Sequence, residues 1–119
     1  MIAVLALAGG LGAVLRFVVD TLVRERLGAR STAGIALVNV TGSFALGVLT
    51  GLVTSVPAAG PVLALAGTGL LGGYTTFSTA MVDAVGLLRE GEPGRAFATA
   101  VGTLTLSVLG ALAGLALTG

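Results

Sequence analysis

The chain has 119 residues, of which 55% are hydrophobic and only 9% are charged. A soluble domain carries roughly 25% charged residues, so this composition excludes an ordinary water-exposed surface. Cysteine and histidine are both absent, which excludes disulfides, thiolate metal sites and imidazole chemistry. The net charge of +1 comes without a basic stripe, so the sequence gives no indication of nucleic-acid binding.

The charged residues are clustered, and the neutral stretches between them predict membrane-spanning helices. A helix needs about 20 apolar residues to cross the hydrocarbon core of a bilayer. Residues 31–82 contain no charge and are long enough for two spans, and residues 96–119 are long enough for one. The stretch before Arg24 adds another. We therefore predict one all-α membrane domain over residues 1–119 with four spans, at about 2–23, 32–56, 61–85 and 94–117.

The first predicted span lacks the positively charged start of a cleaved signal peptide, so we expect it to be retained. Arg16 is the one basic residue well inside a span. Such a side chain can snorkel to the interface, or it can act as a vestibule charge that attracts anions. Asp20 follows one turn later, at a spacing that allows an ion pair with Arg16.

Arginine placement predicts the orientation of the chain. Short cytoplasmic loops are enriched in arginine and lysine. The second connection and both termini have neither residue, whereas the first and third connections hold Arg24, Arg26, Arg30, Arg89 and Arg95. We expect a multi-pass protein of the cell membrane, inserted in one orientation with both termini outside.

The second span carries Asn39 near its middle, where an unpaired amide would cost several kcal/mol. Ser43 and Thr50 follow on the same helical face. In the fourth span Thr99, Thr103 and Ser107 recur every four residues. Such hydroxyl ladders either join helices or line a track of neutral donors suited to a small anion.

The third span is polar from Gly72 to Thr79, where the bilayer is most apolar. Gly72 and Gly73 would permit the helix to unwind, and unwound backbone at membrane depth must face protein or water. Freed carbonyl oxygens are good ligands for a hard cation such as Na⁺. The alternative is that the hydroxyls bond back to their own helix. We expect a third helix broken at mid-membrane and a pore between two copies, since four glycine-rich helices enclose little volume.

Three segments resemble the signatures of the Fluc (CrcB) fluoride channel family: residues 9–16 (GGLGAVLR), 38–44 (VNVTGSF) and 72–79 (GGYTTFST). They occur in order and cover nearly the whole chain. The resemblance implies an antiparallel dimer that passively exports fluoride and lowers its cytoplasmic concentration. It also implies a structural Na⁺ at the dimer centre, held by the backbone carbonyls of Gly72 and Thr75.

The resemblance and the hydroxyl ladders together define the predicted site. The pore-lining residues so predicted are Asn39, Ser43, Phe77, Ser78, Thr79, Thr103 and Ser107, with Arg16 near the vestibule. The family usually has a second Phe three residues after the first and a Thr four residues before the Asn, but here these positions hold Ala80 and Ile35. Its homodimers also show little arginine bias. These departures favour an oppositely inserted paralogue as the partner, over a second copy of this chain.

Two other functions remain open. A four-span exporter of the small multidrug-resistance type needs a carboxylate in its first span, where only Asp20 is available. A non-conducting membrane assembly subunit would be built from the same small residues. An enzyme is not expected, because no nucleophile–base pair or metal cluster is visible in the sequence. The expected partners are fluoride, membrane lipid and a second subunit.

Overall fold

The computed structural model describes residues 2–28 and 31–119, and these ranges are helical without any strand. The predicted all-α class is therefore confirmed. The elements are α1 (Ile2–Leu27), α2 (Ala33–Ser55), a 3-10 turn (Pro57–Ala59), α3 (Gly60–Ala64), a π-helical turn (Leu65–Leu71), α4 (Gly72–Tyr74), α5 (Phe77–Arg89) and α6 (Pro93–Thr118). Arg30, which contributes to the predicted arginine bias, lies outside the described residues.

Three helices in the described ranges are long and apolar enough to cross a membrane: α1, α2 and α6, with 26, 23 and 26 residues. Even the shortest measures roughly 34 Å at about 1.5 Å per residue, against a hydrocarbon core of about 30 Å. The third predicted span differs, because it is divided among α3, the π-helical turn, α4 and α5. None of these pieces is a spanning helix by itself.

The helix ends differ from the predicted spans by up to four residues. Helix α1 continues to Leu27, so Arg24 and Arg26 lie in its last turn, where positive charges interact favourably with the helix dipole. The chain then turns at Gly28, whose φ of 110° is accessible to glycine at little cost. Helix α6 begins at Pro93, because a proline at the first helical position loses no hydrogen bond.

Helices α2 and α6 pack in parallel over their whole length. The Thr32 and Thr99 hydroxyls lie 3.4 Å apart at one end of the pair. At the other end the Ser55 hydroxyl donates to the Thr118 carbonyl at 2.7 Å. Glycine allows this close approach, since a Cβ on Gly114 would collide with the Phe44 carbonyl across the interface.

The third segment is the chain from α3 to α5, residues 60–89, and glycines also let its first part, residues 60–74, pack closely against helix α1. A Cβ on Gly12 would collide with the Leu70 carbonyl, and a Cβ on Gly73 would collide with the Gly9 carbonyl. Glycines therefore serve close helix packing here. They also fix residues 70–74 against α1 as far as the end of α4.

The first and third connections lie at the same end of the bundle. The Arg24 guanidinium donates to the Asp20 carboxylate at 3.0 Å and lies 3.8 Å from the Asp83 carboxylate on α5. Asp20 therefore bonds to Arg24 rather than to Arg16, the partner that its spacing also allowed. This cluster ties the end of α1 to the last turns of α5.

Candidate functional site

The helical path of the third segment stops at two residues, Thr75 and Thr76. Thr75 has φ −80° and ψ 150°, and Thr76 has φ −153° and ψ 108°, so both are extended. The last helical bond runs from the Thr75 N–H to the Leu71 carbonyl at 2.9 Å. This point lies within residues 72–79, the polar stretch that the sequence indicated, but Gly72 itself has helical dihedrals, with φ −60° and ψ −39°.

The backbone N–H and the backbone carbonyl of Thr76 both bond to the side chain of Asn39. The Thr76 N–H donates to Asn39 Oδ1 at 2.8 Å, and Asn39 Nδ2 donates to the Thr76 carbonyl at 2.9 Å. Both residues are buried, with exposed fractions of 8% and 9%. The sequence predicted a polar neighbour for Asn39. The neighbour is a backbone peptide, which no side-chain ladder would reveal.

The Thr76 side chain caps the helix that follows. Its Oγ1 accepts a hydrogen bond from the Thr79 N–H at 3.3 Å and donates to Thr79 Oγ1 at 3.1 Å. A threonine before the first helical residue satisfies one of the N–H groups that a helix start leaves unpaired. Thr76 was missed as a site residue. The available signal was its place just before the first residue of an apolar helical stretch.

A groove of about 190 Å³ opens beside this interruption, between α2, α5 and α6. Five of the seven predicted pore-lining residues line it: Asn39, Ser43, Phe77, Thr103 and Ser107. The remaining lining residues are Thr75, Ala80, Met81, Ala100 and Leu104. The structure thus brings residues from three distant segments of the sequence to one surface.

The groove combines polar and apolar side chains and carries no formal charge, because all its lining side chains are neutral. Ser107 contributes a buried hydroxyl that has no hydrogen-bond partner among the described residues. Phe77 is 66% exposed, although it lies among polar groups. An aromatic ring has a positively polarised edge. Neutral O–H and N–H donors beside such an edge can replace the hydration of a small anion.

Other predicted residues lie outside the groove lining. Ser78 is exposed beside it, Thr79 bonds to Thr76, and Arg16 is half-buried on α1. The ladders are also shorter than their spacing suggested. Thr50 bonds back to the Leu46 carbonyl at 2.8 Å, and Thr99 faces Thr32.

The two carbonyls predicted to hold Na⁺ lie at the interruption, and both lack their usual helical donors. In a continuous helix the N–H of Thr76 would donate to the Gly72 carbonyl. Here it donates to Asn39 Oδ1 instead. The N–H of Thr79, which would bond to the Thr75 carbonyl, is given to Thr76 Oγ1. Uncharged carbonyl oxygens released in this way fit the oxygen preference of a hard monovalent cation.

Long apolar helices and an interrupted third segment are typical of a multi-pass membrane protein. The comparison with family models agrees: residues 3–115 match the family described as CrcB-like protein, Camphor Resistance (CrcB). The match extends over all the helices described above.

Individual relatives give the same result. The chain is 44% identical to fluoride-specific ion channel FluC 1 of Leifsonia xyli subsp. xyli, over 96% of this chain and 83% of that protein. It is 44% identical to fluoride-specific ion channel FluC of Rhodospirillum centenum, over 98% and 94% respectively. It is 42% identical to FluC 2 of Nitrobacter hamburgensis, over 92% and 89%.

The chain therefore belongs to the CrcB family. The predicted family resemblance is confirmed over nearly the whole chain. The family is one of ion channels and not of enzymes, so the expectation of a non-enzymatic membrane protein is also confirmed.

Proposed function

We propose that this chain is a subunit of a fluoride-selective channel and that the groove beside Thr75 and Thr76 forms one wall of its pore. The observation that carries the proposal is the groove itself, which an exposed Phe77 lines together with Asn39, Thr103 and Ser107. The family relatives named as fluoride-specific ion channels support the choice of ion.

Neutral donors suit a strongly hydrated anion that must also leave again. A full positive charge in the groove would hold fluoride tightly and slow its release, whereas hydroxyl, amide and ring-edge groups replace hydration without trapping it. The buried Ser107 hydroxyl supports this role, because it is a donor with no competing partner among the described residues.

The direction of transport follows from the chemistry of fluoride rather than from any energy source. Hydrogen fluoride that enters a cell ionises at neutral cytoplasmic pH, and the resulting fluoride leaves through the pore. The groove lining contains no carboxylate, lysine or arginine that could couple this movement to protons. Passive export lowers the cytoplasmic fluoride concentration.

The pore is completed by a second, antiparallel subunit. The groove is open on one side, and the Phe77 ring is 66% exposed in a chain whose surroundings are lipid. A second chain covering this face would enclose the interruption in protein, where extended backbone is tolerated at membrane depth. Arg16 would lie near the vestibule and attract anions to its mouth.

A structural Na⁺ at the centre of this dimer would be held by the backbone carbonyls of Gly72 and Thr75. Its chemistry would be structural: a fixed positive charge that draws oxygen ligands of both subunits together. The redirected N–H groups of Thr76 and Thr79 support the assignment, because they release these two carbonyls from helical bonding.

The partner we favour is a paralogue rather than a copy of this chain. Ala80 is 2% exposed and lies in the groove where the family usually has a second ring. Ile35, 3% exposed, lies one turn before Asn39 where a threonine is usual. A partner of opposite orientation would supply the missing groups, and the arginine bias favours one orientation for this chain.

The test is fluoride efflux from liposomes, followed with a fluoride electrode. We expect slow efflux from this chain alone and fast, chloride-excluding efflux after co-expression with a CrcB-family paralogue. Phe77→Ala should abolish the fast phase. Fast efflux from this chain alone would contradict the heterodimer, and absence of fluoride efflux from both samples would contradict the channel.

The non-conducting assembly subunit is the second candidate, and the incomplete lining at Ala80 and Ile35 is the observation that favours it. It predicts no effect of Phe77→Ala on efflux through the assembled channel. The multidrug-exporter alternative loses support, because Asp20, the carboxylate of the first predicted span, is bound to Arg24.

A further inference from the structure

The side chain of Asn39 holds the third segment in two pieces. In a continuous helix the N–H of residue 76 would donate to the carbonyl of residue 72. Here that N–H donates to Asn39 Oδ1 at 2.8 Å, and Asn39 Nδ2 returns a bond to the Thr76 carbonyl at 2.9 Å. We infer that Asn39 is a positioning residue that breaks the helix and so frees the Gly72 carbonyl.

The release of the second carbonyl depends on the same side chain. Once Thr76 is held in extended conformation, its Oγ1 can reach the Thr79 N–H, 3.3 Å away, and start α5. The Thr79 N–H is then no longer available to the Thr75 carbonyl. One amide on α2 therefore governs both carbonyl groups. The sodium part of this inference rests on the proposed function, whereas the hydrogen-bond exchange rests on the geometry alone.

The alternative to the interrupted third segment is a continuous helix through residues 75 and 76. A peptide N–H left unpaired in apolar surroundings is strongly unfavourable. Without the Asn39 amide, the nearest remedy for the Thr76 N–H is the ordinary helical bond to Gly72. Loss of Asn39 should therefore extend α4 through residues 75 and 76 and move Phe77 out of the groove.

A glycine in α2 allows the interruption to approach that helix closely. Gly42 lies one turn beyond Asn39, and a Cβ at this position would collide with Thr75 Cγ2. The glycine brings the extended residues close enough for the Asn39 amide to reach both the N–H and the carbonyl of Thr76. Although Asn39 also lines the groove, its Oδ1 and one of its N–H groups are already used. Its main effect on conduction acts through the backbone.

The Thr75–Thr76 peptide can be observed by itself. It is the single Thr-Thr pair in the sequence, so threonine labelled at both the carbonyl carbon and the nitrogen gives one directly coupled peptide signal. We expect an extended-backbone carbonyl shift for Thr75 in the wild type. In Asn39→Ala and in Asn39→Leu, which keeps most of the volume, the shift should move to its helical position.

Asn39→Asp is the matched control. Its carboxylate keeps an acceptor for the Thr76 N–H, so the signal should stay in the extended position while the bond to the Thr76 carbonyl is lost. Wild-type signals in both Asn39→Ala and Asn39→Leu would overturn the inference. Helical signals in all three variants would overturn the specific role of the acceptor oxygen.

Sodium dependence of unfolding gives a second readout. A cation that binds only the folded protein raises its unfolding temperature. Exchange of N-methylglucamine for Na⁺ at constant ionic strength should raise it for the wild type and for Ser107→Ala, but not for Asn39→Leu. An equal rise in Asn39→Leu would contradict the link to the carbonyls. No rise in the wild type would refute the proposed sodium site, and the Thr75–Thr76 signal would still decide the role of Asn39.

Discussion

Helix α2 and the third segment contain similar residues but fold differently. Both are rich in glycine and threonine. In α2 the Thr41 and Thr50 hydroxyls donate to the carbonyls four residues earlier, at 2.7 and 2.8 Å, and the helix continues through them. In the third segment the helix stops at Thr75, although that residue also bonds back, to the Leu71 carbonyl at 3.0 Å.

The difference lies in the partner and not in the local composition. Hydroxyl groups that bond within their own helix leave its backbone bonds intact. The third segment breaks where Asn39, from another helix, takes the N–H of Thr76. A polar stretch in a membrane helix is therefore not enough to unwind it. An external group must replace the helical bond.

The largest effect is expected from disrupting the close packing of α2 against α6. A methyl group added by Gly114→Ala would collide with the Phe44 carbonyl, so α2 and α6 would have to separate. Overpacking of this kind costs about 1–3 kcal/mol. Unfolding in detergent should show this loss. Gly102→Ala, in the same helix with open space around its position, should unfold like the wild type; equal losses in both variants would contradict glycine-mediated packing of α2 on α6.

The cap at the interruption should have the next largest effect. Thr76→Val removes the acceptor of the Thr79 N–H and should destabilise the fold by about 1 kcal/mol, as for other lost caps. It should also raise hydrogen exchange at Thr79. The control is Thr50→Val, which removes an exposed hydroxyl bonded within its own helix. If the control lost as much stability, the distinction between the two regions would fail.

The smallest effect is expected at the far end of α2. Ser55→Ala removes the 2.7 Å bond to the Thr118 carbonyl between α2 and α6. Interhelical hydrogen bonds in membrane proteins average about 0.6 kcal/mol, so the loss in unfolding free energy should be of this size. Thr54→Ala, which loses only a 3.3 Å bond within α2, should change less. A larger loss for Thr54→Ala would reverse the order that we predict.

The sequence predicted the elements of this fold that depend on local pattern. Spacing of charges and apolar runs gave the all-α class. The spacing of Thr103 and Ser107 and the cost of an isolated amide at Asn39 predicted residues that meet in the groove. The sequence motif around Phe77 indicated the family.

What depends on contacts between distant segments could not be predicted in the same way. The bond from the Thr76 N–H to Asn39 joins residues 37 positions apart, and no local pattern indicates which residue within 72–79 leaves the helix. Thr50 and Thr99 share the angular positions of groove residues, but their height along the helices takes them elsewhere. Periodicity gives the face of a helix and not the neighbour at each level.

The most direct test of the channel compares matched hydroxyl residues inside and outside the groove. Fluoride efflux from liposomes should be measured for the assembled channel with Thr103→Val and Ser107→Ala, which lie in the groove, and with Thr99→Val and Thr50→Val, which lie outside it. We predict about tenfold slower efflux for the two groove variants, which corresponds to about 1.4 kcal/mol in activation free energy. We predict wild-type rates for the other two. Equal rates for all four variants would contradict a fluoride path along this groove.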